Sequence, residues 1–245
     1  EYSVSGFAVD SAPKATVTPP ERNSRTLVGV RVCAPNAGES NQAHFESCIN
    51  VDTARKAVEL SQSFLNKKRY TFDATFDAAA QTDEIYQALV LPLVEREVLE
   101  GRSAFFTVYG QSMTGKTQTL GSSEESVDSG CILSACRDLL AVRKARVYLS
   151  CIEMFNEETR DLLVPDAHDR TRGKMIDFDM RLQRPQGVST HAICSVDECI
   201  SLISTASKRR VCLRRRISGV VCVSHLGHMI CKLIIRRDVP ESDVG

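Results

Sequence analysis

The residues best suited to chemistry run from Gly110 to Thr117 and follow the pattern Gly-x-x-x-x-Gly-Lys-Thr. Many backbone N–H groups must bind a polyphosphate at once, so the chain has to curl tightly around it. Glycine permits the backbone angles that such a curl requires. Lys116 supplies a compact positive charge, and Thr117 supplies a hydroxyl oxygen for Mg²⁺. The pattern predicts a phosphate-binding loop made of Gly110, Gln111, Ser112, Met113, Thr114, Gly115, Lys116 and Thr117. The alternative is a glycine turn without a ligand.

The loop needs a strand before it and a helix after it. Residues 104–109 are apolar and β-prone, which predicts a buried strand that ends at the loop. A helix that begins at the loop would point its first amides and its dipole at the anion. Because Gly121 follows so soon, we expect this helix to be short or broken.

Composition excludes several classes of function. Lys and Arg number 31 and Asp and Glu number 31, so the chain has no net charge that favours nucleic acid or a membrane surface. No apolar run is long enough for a membrane span, and the first residues do not resemble a secretion signal. The ten cysteines show no Cys-x-x-Cys or zinc-finger spacing, which indicates free thiols in a reducing, intracellular compartment.

Helices and strands are expected to alternate after a flexible extension at residues 1–25. Strands are predicted at 26–33, 70–76 and 147–155 and within 220–235. Helices are predicted from Thr82, with a kink at Pro92, at 131–142, and from the capping box at Ser195. Residues 156–163 suggest a short amphipathic helical turn. The pattern predicts an α/β fold whose central, mostly buried sheet has helices on both faces.

Several segments together resemble the motor domain of kinesins. The loop from Val108 to Leu120 is similar to the kinesin phosphate loop, and residues 153–163 are similar to the family's segment with Asn-Glu and Asp-Leu-Leu. Residues 70–76 and 85–94 also match, so the resemblance covers about residues 26–210.

The resemblance implies a P-loop NTPase fold, ATP and Mg²⁺ as cofactors, a kinesin-type ATPase, and microtubules or tubulin as partner in the cytoplasmic cytoskeleton. Gly110 to Thr117 would hold the ATP phosphates, Thr117 would ligate Mg²⁺, and Arg31 would lie beside the adenine. It assigns no catalytic residue.

The sequence departs from the family at several positions. Met113 replaces a small residue, Gln118 replaces a residue that flanks the base, and Cys33 replaces an arginine. In the stretch 218–225, which corresponds to the first switch, Val221 and Cys222 stand where the family has serines. The second-switch motif D-x-A-G-S-E does not occur, and no heptad run is present. We expect residues 26–245 to form a partial motor domain, incomplete at the C-terminus, that binds nucleotide weakly, hydrolyses it very slowly and is poorly soluble.

Other interpretations stay open at this point. The chain could be an interaction module that keeps the motor fold without catalysis, or another P-loop enzyme such as a small nucleotide kinase. The basic run at 208–216 has three interpretations, and the preferred one is a solvated face. A contact for acidic tubulin ranks second. A nucleic-acid site ranks last, because no aromatic residues lie between the basic ones. His225, Glu153 and Asp161 are interpreted as structural residues.

Overall fold

The structure, a computed structural model, describes residues 26–33, 48–63, 66–112, 114–123, 126–127, 129–217 and 220–237. The predicted extension at 1–25 and the predicted bulk of Met113 lie outside these residues. The strands are β1 (Gly29–Arg31), β2 (Ile49–Asp52), β3 (Ala57–Ser63), β4 (Asn66–Thr71), β5 (Ala74–Phe76), β6 (Ala145–Phe155), β7 (Glu158–Pro165), β8 (Gly173–Ile176), β9 (Phe178–Asp179), β10 (Arg184–Pro185), β11 (His191–Ile193), β12 (Cys212–Ile217), β13 (Val220–His225) and β14 (His228–Arg237).

Four helical segments accompany these strands in the described part of the chain. They are α1 (residues 82–98), α2 (Lys116–Leu120), α3 (Cys131–Leu140) and α4 (Val196–Lys208). None of the described helices is long and apolar enough to cross a membrane.

Strand β6 is the centre of the largest sheet. On one edge it pairs antiparallel with β14 over ten residues, from Met154↔His228 to Ala145↔Arg237. On the other edge of β6, β7 pairs with residues 152–155 and β11 pairs with residues 147–149. β8 pairs with β7 and extends that side. Pairing on both edges satisfies the backbone polar groups of β6, which its burial requires.

The hydrophobic core lies between this sheet and the helices. Val147, Leu149 and Cys151, which alternate along β6, point into one cluster with the apolar residues of α3 and α4. On α3 the buried residues are Cys131, Ile132, Leu133, Ala135, Cys136 and Leu139, which include the face predicted from the helical spacing. The prediction of a buried sheet covered by helices is therefore confirmed.

The N-terminal strands form two smaller sheets. β1 runs parallel to β5, from Gly29↔Ala74 to Arg31↔Phe76. β2, β3 and β4 form an antiparallel three-stranded sheet, mostly over residues for which the sequence pattern predicts no element. The strand predicted at 70–76 is split, because β4 ends at Thr71 and Asp73 bends the chain toward Val28, with Asp73 N–H to Val28 O at 2.9 Å.

The N-cap of helix α1 lies one residue earlier than the sequence predicts, at Gln81 and not at Thr82. Gln81 is the N-cap, and its N–H donates to Glu84 Oε1 at 2.8 Å, so Thr82 is the first helical residue. Pro92 lies in a short α-helical turn, Leu91–Leu93, between two π-helical turns, Tyr86–Val90 and Val94–Val98. Proline has no N–H to donate within the helix, and a change of hydrogen-bond register is one way to accommodate it. The predicted kink thus takes the form of two π turns.

The helical turn predicted at residues 156–163 is wrong. Asn156 and Glu157 have φ values of 49° and 63°, and they form a two-residue turn between β6 and β7, which pair from Phe155↔Glu158 onward. Positive φ at both central residues defines the type I′ turn, whose twist suits a hairpin. The tertiary pairing with β6 therefore decides the conformation of a stretch whose local pattern also fits a helix.

The strand predicted just before the phosphate loop is also wrong. Residues 102–110 belong to no helix or strand, and Phe105 and Tyr109 are 76% and 98% exposed. A strand is held by hydrogen bonds to a neighbour, and no described strand pairs with this segment. Its composition is that of a strand, but the described residues provide no partner.

Candidate functional site

The predicted phosphate loop is a turn that leads directly into helix α2. Gly115 has φ of +83°, a left-handed angle that residues with side chains adopt at a cost. A Cβ at this position would lie 2.6 Å from Cys33 Sγ, so a side chain here would also crowd Cys33. Helix α2 ends after five residues at Gly121, φ +76°, as its early glycine predicts.

The side chain of Lys116 folds back over the loop. Its Nζ donates to the carbonyl oxygens of Gly110 and Gln111, at 2.8 Å and 2.5 Å. Thr114 Oγ1 donates to Gln111 O at 2.7 Å, which tightens the same turn. The ammonium group is therefore held at the loop, on two neutral carbonyl groups that an anion could replace.

Strand β1 anchors the loop from the side. Arg31 Nη1 donates to Thr119 Oγ1 in α2 at 2.8 Å, and Arg31 Nη2 donates to Ala80 O at 3.4 Å. Cys33 Sγ donates to Thr114 O at 2.7 Å. Arg31 and Cys33 thus fix the loop and its helix to β1.

The donors present fit a phosphate group. The first amides of a helix have no acceptor within the helix, so the N-terminal amides of α2 are available at the loop. Together with the Lys116 ammonium group and the left-handed Gly115 they form an arrangement that suits an anion. Thr117 is the second residue of α2, so its hydroxyl lies at the same end of the helix. Among the described residues, no three His, Cys, Asp or Glu side chains are grouped so that they could hold a metal ion.

A buried ion pair lies away from the loop, between β6 and the start of β12. Arg210 Nε donates to Glu153 Oε1 at 3.3 Å, and the two side chains are 6% and 1% exposed. Val211 N–H donates to Glu153 Oε2 at 2.9 Å, and Arg210 Nη2 donates to Gly227 O at 2.9 Å. Burial lowers the pKa of Arg210, and Glu153 opposes this shift. The ion pair thus ties three chain segments together, in agreement with the structural interpretation of Glu153.

Asp161 has a similar structural role. Its buried carboxylate accepts from Leu163 N–H at 3.0 Å and from Ser189 N–H at 2.6 Å. The carboxylates of Asp161 and Glu153 are therefore both held by contacts within the fold.

The interpretation of the basic run as a uniformly solvated face needs correction. Arg209 Nη1 donates to Leu162 O at 2.8 Å, and Arg210 is the buried partner of Glu153. The run starts at the end of α4, where these two side chains turn inward against β6 and β7. Sequence alone misses this, because Arg210 and Glu153 are 57 residues apart.

His225, the last residue of β13, is a neutral residue at pH 7. Its pKa is lowered to about 4, first by burial and then by the charge of Arg210. Nδ1 is buried and has no hydrogen-bond partner among the described residues. This agrees with a structural role and not with a general base.

Substitution of His225 should change the acid stability of the protein. The ordinary histidine pKa is 6.5 and the folded value is about 4, so below pH 6.5 the unfolded chain binds the proton more readily. The free energy of unfolding should therefore fall as pH is lowered from 6.5 toward 4, and His225→Gln should remove that part of the loss. Urea unfolding at neutral and acid pH measures this. The control is His168→Gln in an exposed loop, and equal acid sensitivity of wild type and both variants would contradict the prediction.

The comparisons with known proteins agree with one another. A sequence profile of the family described as the kinesin motor domain matches residues 30–243. Kinesin-like protein KIN-5B of Oryza sativa subsp. japonica is 32% identical over 233 residues, covering 87% of this chain and 22% of that protein. Kinesin-like protein KIF11 of Mus musculus is 27% identical over 226 residues, covering 84% of this chain and 21% of that protein. The chain thus spans about a fifth of the length of these relatives.

A solved structure shows the same fold. It is KIF14, residues 391–772, as a dimer in a two-heads-bound state with AMP-PNP and in complex with a microtubule. The TM-score is 0.72 at 22% identity, covering 87% of this chain and 61% of that chain. Because the sequence profile covers most of the chain and the fold agrees with it, the chain belongs to the kinesin motor domain family.

Proposed function

We propose that this chain binds ATP with Mg²⁺ at residues 110–117, as the nucleotide site of a microtubule-based motor. The observation that supports this most directly is the loop itself. A left-handed Gly115, a helix that begins at the next residue and the Lys116 ammonium group converge at one place. Membership in the kinesin family argues against the alternative of a small nucleotide kinase.

The proposal gives specific roles to the start of α2, Lys116, Thr117 and Arg31. The amides at the start of α2 donate to phosphate oxygens, and Lys116 moves from the carbonyls of Gly110 and Gln111 to the β- and γ-phosphates. Thr117 gives its hydroxyl oxygen to Mg²⁺, which neutralises phosphate charge when bound. Arg31 lies beside the adenine and, through Thr119, holds α2 in place.

We propose that hydrolysis by this chain is very slow. The stretch compared with the first switch ends in strand β13, which pairs with β12 from Ile217↔Val220 to Cys212↔His225. Valine cannot ligate a metal, and cysteine is a poor ligand for Mg²⁺, which prefers oxygen. Val221 and Cys222 therefore offer weak support for sensing Mg²⁺ and the γ-phosphate.

The proposed partner is the microtubule, and the proposed location is the cytoplasmic cytoskeleton. Support comes from the motor family and from the KIF14 structure, which was determined in complex with a microtubule.

A second candidate function is a non-catalytic interaction module that retains the motor fold. One observation favours it: Lys116 Nζ is already satisfied by two carbonyl groups of its own loop. Nucleotide has to displace these contacts, which lowers its net affinity.

A fluorescence titration with mant-ATP distinguishes the two candidates. We expect saturable binding that requires Mg²⁺, with turnover far below ordinary motor rates in the presence of microtubules. Absence of binding at millimolar nucleotide would support the module. Microtubule-stimulated turnover at ordinary motor rates would contradict slow hydrolysis.

A further inference from the structure

Two cysteines face each other across the central sheet. In the pairing of β6 with β14, Cys151 lies directly opposite Cys231, and their Sγ atoms are 3.4 Å apart. Opposite residues in antiparallel strands have Cα atoms about 4.5 or 5.5 Å apart, depending on their hydrogen-bond phase. Both distances fall within the range of about 4.4–6.8 Å found for disulfides. The backbone therefore already has the spacing that a disulfide needs.

We propose that Cys151 and Cys231 form a reversible disulfide that fixes β14 to β6 when the protein meets a low-molecular-weight disulfide. Both side chains are free thiols in the structure, in keeping with the reducing compartment that the cysteine pattern indicates. The proposal does not depend on nucleotide binding, because the pair lies in the sheet and not in the phosphate loop.

The different burial of the two thiols sets the order of events. Cys151 is fully buried, whereas Cys231 is partly exposed and can meet an oxidant. The Cys231 thiolate attacks the small disulfide, whose S–S bond breaks, and one small thiolate leaves and takes up a proton. The Cys151 thiolate then attacks Cys231 Sγ and displaces the second small thiolate, which is also protonated. The cysteines lose two electrons, and the small disulfide gains them as two thiols.

The second step should depend on pH. In the reduced protein the hydrogen bond to Cys231 and burial raise the pKa of Cys151 well above that of an ordinary thiol, and the effect of burial persists when Cys231 carries the small thiol. Because only the thiolate attacks, ring closure should be faster in mildly alkaline solution than at neutral pH.

The bond would have a large effect on stability. It would join residues that are 80 positions apart, and closing a long loop restricts the unfolded chain strongly. It would also fix β14, whose Arg237 Nη2 donates to Leu99 O beyond the end of α1 at 2.7 Å. We expect the thermal midpoint to rise by roughly 5–10 °C on oxidation and to return on reduction.

The test uses the full 245-residue chain, folded and treated with glutathione disulfide. Remaining thiols are blocked, and the digested protein is mapped by mass spectrometry without reduction. We expect a cross-linked peptide pair containing Cys151 and Cys231 that disappears on reduction. Cys231→Ala should abolish this pair and the rise in thermal midpoint. Cys131→Ala, a buried cysteine of α3, should change neither.

Two results would overturn the proposal. One is a map in which Cys151 and Cys231 stay free while Cys136 links to Cys199, a neighbouring thiol pair in the same core. The other is cross-linking only through the exposed Cys48, Cys194 or Cys212. The wild-type map decides the proposal even if a variant fails to fold.

Discussion

Replacing Lys116 by alanine is expected to weaken the binding of mant-ATP with Mg²⁺ by about 10- to 100-fold. A hydrogen bond to a charged group contributes about 1.5–3 kcal/mol. The Lys116 ammonium group is the charged group that the structure describes at the loop. The loss of affinity should be smaller than for a lysine without hydrogen bonds before nucleotide binds, because Lys116 first has to leave Gly110 O and Gln111 O.

The matched control is Lys174→Ala, an exposed lysine in β8 that should leave affinity unchanged. A thermal melt of each variant checks that the fold is intact, since Lys116 also holds its own loop. Equal nucleotide affinity of wild type and Lys116→Ala, with both proteins folded, would remove the main support for the proposed site.

Replacing Glu153 by alanine is expected to lower the free energy of unfolding by about 3–5 kcal/mol. The substitution leaves the buried guanidinium of Arg210 without its counter-charge and leaves Val211 N–H without its acceptor. For a domain of this size the thermal midpoint should fall by roughly 6–20 °C. Urea unfolding and a thermal melt measure both quantities.

Glu97→Ala is the control for the Glu153 prediction. Glu97 pairs with Arg102 at 2.6 Å, but these side chains are 36% and 49% exposed, so the expected change is about 1 kcal/mol or less. The double variant Glu153→Leu with Arg210→Met should recover much of the lost stability, because neither charge then stays buried alone. Similar losses for Glu97→Ala and Glu153→Ala would show that burial of the Glu153 pair has little energetic weight.

The sequence predicts those elements whose causes are local. Ser195 accepts from Glu198 N–H at 3.2 Å, as the capping box requires, although Glu198 Oε2 accepts from Cys194 N–H instead of the cap residue. Gly121 ends α2, and the spacing of apolar residues gives the buried face of α3. In each case residues within a few positions of one another determine the result.

The incorrect predictions concern elements that depend on distant parts of the chain. Residues 158–163 form a strand because β6 lies beside them, and residues 104–109 form none because no described strand lies beside them. At the candidate site the glycine and lysine pattern predicts the turn and the short helix that begins at Lys116. The contacts from Arg31 to Thr119 and from Cys33 to Thr114 are not predictable, since 88 and 81 positions separate the partners.

The strand order around β6 has a consequence for synthesis of the protein. On the ribosome, Cys151 emerges 80 residues before its partner Cys231, and at about 5–20 residues per second this delay is roughly 4–16 s. During that time one edge of β6, a largely buried strand, has no neighbour and can pair with other nascent chains. A chaperone that shields extended apolar segments should therefore increase the yield of folded protein most when it acts before β14 is translated.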